Sequence, residues 1–365
     1  MSRQIVLKNA ERDKQSVNAH FEADNKAKKK QPRSNIGSSD DEFEGLTVLD
    51  RDQTMADIKM DTREELDTGG NVLFIEYMSR GRFDNYLCQT AIYRSDAFPT
   101  KVLWQIFDCL FRGIVGLAYP HAFQPPGSNP QTDVIAQVSE TSAGLPVLTS
   151  YCPHETIIHF DIDPLNILVG DFDSNEHNIS PIIKLADYGP VKVFSGRTTP
   201  RDAFQSWKVR SHGKTGPKPP EQFSEEWDYV NSTPQAAYQQ TAGNYSWWTN
   251  LYQIALVMWS AITLCHVEYP PVAEEFNIDH PEGTTTKEWG YGDYLFDQKF
   301  SHIDHELRNV VALCLNYNPT RRPAMQMIEA TIAKHLTPSP EDRFAQVWAA
   351  RRFDGPSPPP PPKAE

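Results

Sequence analysis

Nowhere in its 365 residues does the sequence carry a C-x-x-C pair, the apolar core of a signal peptide or a run long enough to span a bilayer. Five cysteines (Cys88, Cys109, Cys152, Cys265 and Cys314) are scattered and odd in number, which argues against a disulfide framework or a zinc ribbon and for buried thiols in a reducing compartment. The longest apolar stretch, 251–264, is too short for a membrane span and is interrupted by Gln253 and Ser260. The chain is therefore expected to be soluble and intracellular, in cytoplasm or nucleus, with no membrane partner. Asn178, Asn231 and Asn244 each begin an N-x-S/T triplet, which without secretion are chance matches. Positive charge is scarce: the net charge is −13, which speaks against a general nucleic-acid or membrane-surface binder. Any polyanion site must then gather its cations locally. The run Lys28-Lys29-Lys30 is too short to change that. No glycine precedes Gly37, no G-x-S-x-G or Cys–His signature marks a hydrolase, and no internal repeat is visible. His302 and His305 are three residues apart without an obvious third ligand, so structural roles fit them better than zinc.

What is present is enough apolar sequence, 39% of residues with 11% aromatic, to build a substantial core. Gln4-Ile5-Val6-Leu7-Lys8 predicts a strand, followed to residue 70 by a polar tract whose composition suits an insert or linker. Asn71-Val72-Leu73-Phe74-Ile75-Glu76-Tyr77 predicts another strand, closed by Ser79-Arg80-Gly81. From 100 to 117 apolar residues recur in steps of three and four, the stripe of an amphipathic helix, with Thr100 as its N-cap. Residues 124–150 predict a surface loop; 156–159, 166–169 and 182–186 predict short strands. Apolar almost all round, 247–264 predicts a buried helix, and helical patterns recur at 307–315 and 323–335. Five consecutive prolines near the end predict a polyproline II tail that would suit an SH3- or WW-type partner. With strands first, helices afterwards and no βαβ alternation, the fold class expected is α+β.

The chemistry concentrates in two segments. One is His159-Phe160-Asp161-Ile162-Asp163-Pro164-Leu165-Asn166; the other is Lys184-Leu185-Ala186-Asp187-Tyr188-Gly189. Asp161 and Asn166 fall on one tight loop between strand-like pieces, and Asp187 ends a third piece just before a glycine turn. That layout aims two carboxylates and an amide oxygen at a common point, and hard oxygens are what Mg²⁺ requires.

These segments resemble the catalytic loop (H-R-D-x-x-x-x-N) and the metal-binding motif (D-F-G) of eukaryotic-type protein kinases. The resemblance covers residues 70–335 and implies a two-lobed fold, with a reduced β-rich amino-terminal lobe and a mainly helical second lobe. It implies ATP and Mg²⁺ as cofactors and a protein hydroxyl, more in the manner of Ser/Thr than Tyr, as acceptor. Asp161 would take the hydroxyl proton, Asn166 and Asp187 would hold Mg²⁺, His159 would brace the loop and Gly189 would close the metal motif. Pro219-Pro220-Glu221 resembles the A-P-E signature, with Arg322 as the partner of Glu221. Phe74-Ile75-Glu76-Tyr77-Met78 resembles the hinge, where backbone groups of Glu76 and Met78 would bond adenine and Asp84 would reach the ribose. Lys8 would meet the α/β-phosphates, with Glu22 as its helix partner. The resemblance divides the chain at 1–70, 71–335 and 336–365, the last a carboxy-terminal extension.

Departures from the family pattern bear on activity. Phe160 stands in place of the usual arginine, which removes the contact that makes many kinases depend on activation-segment phosphorylation. Asp163 stands where a lysine normally faces the γ-phosphate, a charge reversal that would disfavour transfer unless another cation compensates. Asn250 occupies a usual aspartate position, and Thr215 misses the expected threonine by one residue. The absent glycine loop and Asp163 leave a second reading open, a pseudokinase that binds nucleotide or partners without turnover. A small-molecule kinase on the same fold is a third, against which the Pro-Pro-Glu segment argues.

Overall fold

The computed structural model describes residues 78–93, 97–119, 155–173, 177–195, 203–229, 240–267, 271–280 and 283–354, and the backbone of strands at 5–9, 47–49 and 72–76. The chain divides into two units, Met1–Ser79 and Arg80–Glu365. Both β-sheet and α-helix are present, and every strand pairing among the described residues is antiparallel. The class is α+β, as the order of sequence patterns predicts.

In the first unit, strands β1 (Ile5–Asn9), β2 (Thr47–Leu49) and β3 (Val72–Glu76) form one sheet in the order β2-β1-β3. Lys8 and Glu76 stand on β1 and β3, opposite Leu73 and Ile5, and their side chains lie outside the described residues. Glu22 and the polyproline tail lie outside them altogether. Met78 also belongs to this unit.

The second unit is organised around two helices, α2 (Thr100–Ala118) and α5 (Trp247–Thr263). The three-and-four spacing of α2 puts Val102, Leu103, Ile106, Phe107, Leu110, Ile114 and Val115 at zero exposure. Each such side chain contributes about 1.5–3 kcal/mol on burial. Thr100 does not cap this helix: Pro99 is the N-cap, and the Thr100 hydroxyl accepts from the Asp304 N–H instead (3.2 Å). The reason lies in Pro99, whose fixed φ of −60° sets the extended entry one residue earlier than the hydroxyl pattern suggests. Helix α5 begins in a reciprocal capping box between Ser246 and Thr249 and ends at Leu264, which takes the left-handed conformation (φ +55°). It is buried all round, as its composition predicts, including the polar Thr249, Asn250 and Gln253.

Around these lie α1 (Phe83–Tyr93), α6 (His305–Cys314), α7 (Met325–His335) and α8 (Asp342–Phe353). Helix α8 falls in the segment expected as an extension, yet Ala345, Trp348, Ala349 and Phe353 join the core. Buried Lys101 ties the two together: its ammonium donates to the carbonyls of His335 (2.8 Å) and Thr337 (2.6 Å) and pairs with Asp342 (3.2 Å). A hairpin of β8 (Glu274–Asp279) and β9 (Thr285–Gly290), absent from the sequence reading, follows α5. Two further ribbons frame the chemistry, β4 (Glu155–Ile158) with β7 (Lys192–Ser195) and β5 (Ile167–Val169) with β6 (Ile183–Leu185). Among the described residues no helix is long and apolar enough to cross a membrane.

Candidate active site

Loop 159–166 runs from β4 to β5, and 186–191 runs from β6 to β7. Because β4 pairs β7 and β5 pairs β6, the two loops are held side by side at the same ends of their ribbons. The Ala186 N–H closes the register by donating to the Asn166 carbonyl (2.9 Å), which places Asp187 one residue beyond Asn166's partner.

His159 sits at zero exposure beneath this junction. Its Nε2 lies 3.0 Å from the Ala186 carbonyl, a partner that can only accept, so Nε2 carries the proton. Nδ1 is then free to accept from the Asp161 N–H (3.4 Å). One neutral imidazole therefore bridges both loops, and burial holds its pKa below the ordinary 6.5 despite the raising effect of the Ala186 bond and of Asp161 and Asp187. From α5, Asn250 secures the strand below: its Oδ1 accepts from the His159 N–H (2.9 Å) and its Nδ2 donates to the Ile157 carbonyl (2.8 Å).

Asp161 is held by three bonds. Its Oδ1 accepts from the Lys214 N–H (2.7 Å), and its Oδ2 from Asn166 Nδ2 (2.8 Å) and the Lys214 ammonium (3.2 Å). Asn166 Nδ2 also reaches the Asp161 carbonyl (2.7 Å), which fixes the amide so that its Oδ1, unpartnered among the described residues, turns away. Asp163 caps the 3₁₀ turn Pro164–Asn166, its Oδ1 accepting from the N–H groups of Leu165 (3.0 Å) and Asn166 (3.1 Å). Its Oδ2 pairs with the Lys214 ammonium at 2.9 Å. The Asp163 carboxylate is thus met by a lysine that the sequence reading passed over, although it is the neighbour of Thr215. Burial pulls the Lys214 ammonium down, but the hydrogen bonds and charges of Asp163 and Asp161 outweigh it and leave its pKa raised.

Lys214 arrives on the segment between α3 (Ala203–Val209) and α4 (Pro220–Phe223). Gly213 lets it come close: at φ +72° it lies so near Phe160 that a Cβ would fall 1.9 Å from the Phe160 carbonyl oxygen. Phe160 itself is left-handed (φ +64°), as is Asp187 (φ +59°). Both strained residues bracket the chemistry. The fully buried Phe160 ring meets Tyr245 (5.2 Å), His212 (5.9 Å) and Phe194 (6.1 Å). Phe160 belongs to an apolar cluster with Ile158, Val209 and Trp227. Gln222 Nε2 adds bonds to the carbonyls of Val209, Arg210 and His212.

Asp187 is exposed, accepts from the Gly189 N–H (3.3 Å) and has no cation partner among the described residues. Asn166 Oδ1 and the Asp187 carboxylate are two hard oxygen donors, too few for a protein-only cage but suited to Mg²⁺, which keeps waters and substrate oxygens in its octahedron. No group of three or more His, Cys, Asp or Glu able to hold a metal occurs among the described residues. Asp84, in the first turn of α1, pairs with Arg82 (3.1 Å); burial raises its pKa, against the opposing pull of Arg82. It lines a cavity of about 260 Å³ together with Leu87, Asp163, Leu165 and Leu264.

Further out, Glu221 and Arg322 form a bidentate pair, Nη1–Oε1 and Nη2–Oε2 both 2.8 Å, with neither side chain exposed. Thr249 of α5 donates to the same Glu221 Oε1 (3.1 Å), and Arg322 also donates to the carbonyls of Trp248 (2.8 Å) and Asn316 (3.1 Å). No protein-family model matches this chain, and no curated protein does either.

Proposed function

We propose that this chain is a protein-kinase-like phosphotransferase that uses ATP and Mg²⁺ to phosphorylate a polypeptide hydroxyl. The first unit would be a reduced β-rich lobe and the second the helical one. The observation that carries the reading is the convergence of Asp161, Asn166 and Asp187 where two ribbons end together, tied by His159 across Ala186. Lys8, Glu76 and Met78, for which nucleotide-binding roles are proposed, belong to the first unit, whereas Asp161, Asn166 and Asp187 all lie in the second. Thr215, beside Lys214, takes no part in it.

In the reaction, the acceptor oxygen forms a bond to the γ-phosphorus, the bond from that phosphorus to the β-phosphate oxygen breaks, and the hydroxyl proton passes to Asp161. When bound, Mg²⁺ would neutralise the phosphate oxygens. Asn166 Oδ1 and Asp187 would hold it, while Asn166 Nδ2 keeps Asp161 in place. Of the roughly four lone-pair sites of the Asp161 carboxylate, three are occupied, which leaves one on Oδ1 for the incoming hydroxyl. The same crowding favours a second reading, a nucleotide-binding module without turnover.

ATP consumption and thermal shift separate the two. Saturating Mg·ATP should raise the melting temperature, and ATP with a chelator much less. Asp161→Asn should abolish most transfer with nucleotide binding intact, and Asp187→Asn should damage both. Binding without turnover selects the second reading, and a flat titration to millimolar Mg·ATP rejects both.

A further inference from the structure

In loop 159–166, the position that would face the phosphoryl group holds an acid, Asp163, and among the described residues the ammonium that reaches it comes from a different part of the chain. Lys214 has three N–H donors, and two are taken, by Asp163 (2.9 Å) and Asp161 (3.2 Å). No further partner occupies the third among the described residues. The lysine side chain is 41% exposed while each carboxylate side chain is 10% exposed, so the ammonium's free face is the wet face of an otherwise covered cluster. A lysine that served only to neutralise two carboxylates would gain from full cover. This one instead presents charge beside the residue proposed to take the acceptor's proton.

We infer that Lys214 is the cation that meets the transferring phosphoryl group, delivered by the segment between α3 and α4 and not by the loop that carries Asp161. The inference rests on the phosphotransferase reading and adds a form of control to it. The segment's main chain and side chain both grip Asp161, and Gly213 permits that grip only at its present closeness to Phe160. Seating the segment therefore brings in the cation and orients the base in one motion. Lifting it removes both. The aromatic contacts of Phe160 with Phe194, His212 and Tyr245 and the three carbonyl bonds of Gln222 supply the seating. No phosphate is needed for it. Because Asp163 spends one oxygen on the 3₁₀ turn and the other on Lys214, it positions the cation and takes no part in the chemistry itself.

The test is the nucleotide preference of Lys214→Met and Lys214→Arg in the full chain, by calorimetry with Mg·ATP and Mg·ADP, alongside kcat and KM for ATP consumption. A group that touches the γ-phosphoryl should weaken Mg·ATP by roughly tenfold or more in Lys214→Met, the worth of about one charged hydrogen bond, and leave Mg·ADP nearly unchanged. Turnover should fall on the order of 10²–10³-fold through kcat, as for loss of a charge-stabilising donor, and Lys214→Arg should recover part of both. Equal weakening of both nucleotides, or an ATP-to-ADP ratio and kcat equal to the parent's, overturns the assignment of Lys214 and leaves the phosphotransferase reading standing. A parent chain that binds neither nucleotide overturns that reading and this inference together. Melting of the apo variants checks folding. Should Lys214→Met unfold, Lys214→Arg decides, since the parent's preference for Mg·ATP must survive in it.

Discussion

Arg322 clasps Glu221 through two parallel bonds of 2.8 Å, with both side chains sealed from solvent. The pair joins α4 to the turn before α7, and Thr249 and the Trp248 carbonyl bring in the start of α5. Arg322→Ala should destabilise the second unit by about 3–5 kcal/mol, because it strands a buried carboxylate. Chemical denaturation measures it. A loss below about 1 kcal/mol, the value of an exposed pair, would show that water reaches Glu221.

Gly213 lies where any side chain would collide with the Phe160 carbonyl. That neighbour is backbone, already left-handed and packed in the aromatic cluster, so it has little room to move. Gly213→Ala should lift the segment, break the Lys214 contacts to Asp161 and lower turnover far more than melting temperature. Faster hydrogen exchange at the Lys214 amide, which donates to Asp161, is the direct readout. Parent-like protection in the variant would contradict the closeness described.

The buried, neutral His159 links stability to acid. Its pKa is lowered from 6.5 chiefly by burial, so the unfolded chain binds the proton more readily. The stability it supports is complete above 6.5 and falls away as pH drops through the lowered folded value. His159→Gln keeps a neutral donor and removes the titration. Its melting temperature should fall less than the parent's between about pH 7.5 and pH 5. Parallel pH profiles would show that folding does not lower the pKa of His159.

Asn250 uses both ends of its amide, accepting from the His159 N–H and donating to the Ile157 carbonyl. An aspartate there, the usual residue of the resembling family, would keep the first bond and set a buried carboxylate against a carbonyl oxygen. Asn250→Asp should therefore cost about 1–3 kcal/mol, as expected for a buried polar group deprived of its partner. An unchanged unfolding midpoint would mean that the Ile157 carbonyl finds another donor.

Local pattern was enough to identify much of the second unit. The stripe of α2, the all-round apolarity of α5 and the order in which Asp161, Asn166, Asp187, Glu221 and Arg322 occur are properties of short windows, readable from periodicity and motif spacing. Helix α8 was missed because its apolar signal is weak, and it gains its place from Lys101 and the α2 surface, far away in sequence. The β8–β9 hairpin is short and mostly polar and exposed, and its alternation rests on few apolar residues, chiefly Phe276 and Ile278.

What the sequence by itself determined is the set of groups: two acids and an amide on a turn, a third acid before a glycine, and an aromatic between the histidine and the first acid. Only the tertiary structure decided which charges meet. Asp163 read alone is a repulsive carboxylate, and Lys214 read alone is one lysine in a turn of glycines and prolines. Their separation along the chain hides the pairing, since an ion pair depends on distance through space and window-based reading sees only distance along the backbone. Gly213 at φ +72°, with room for no side chain above Phe160, turns two unremarkable residues into a site with its own cation.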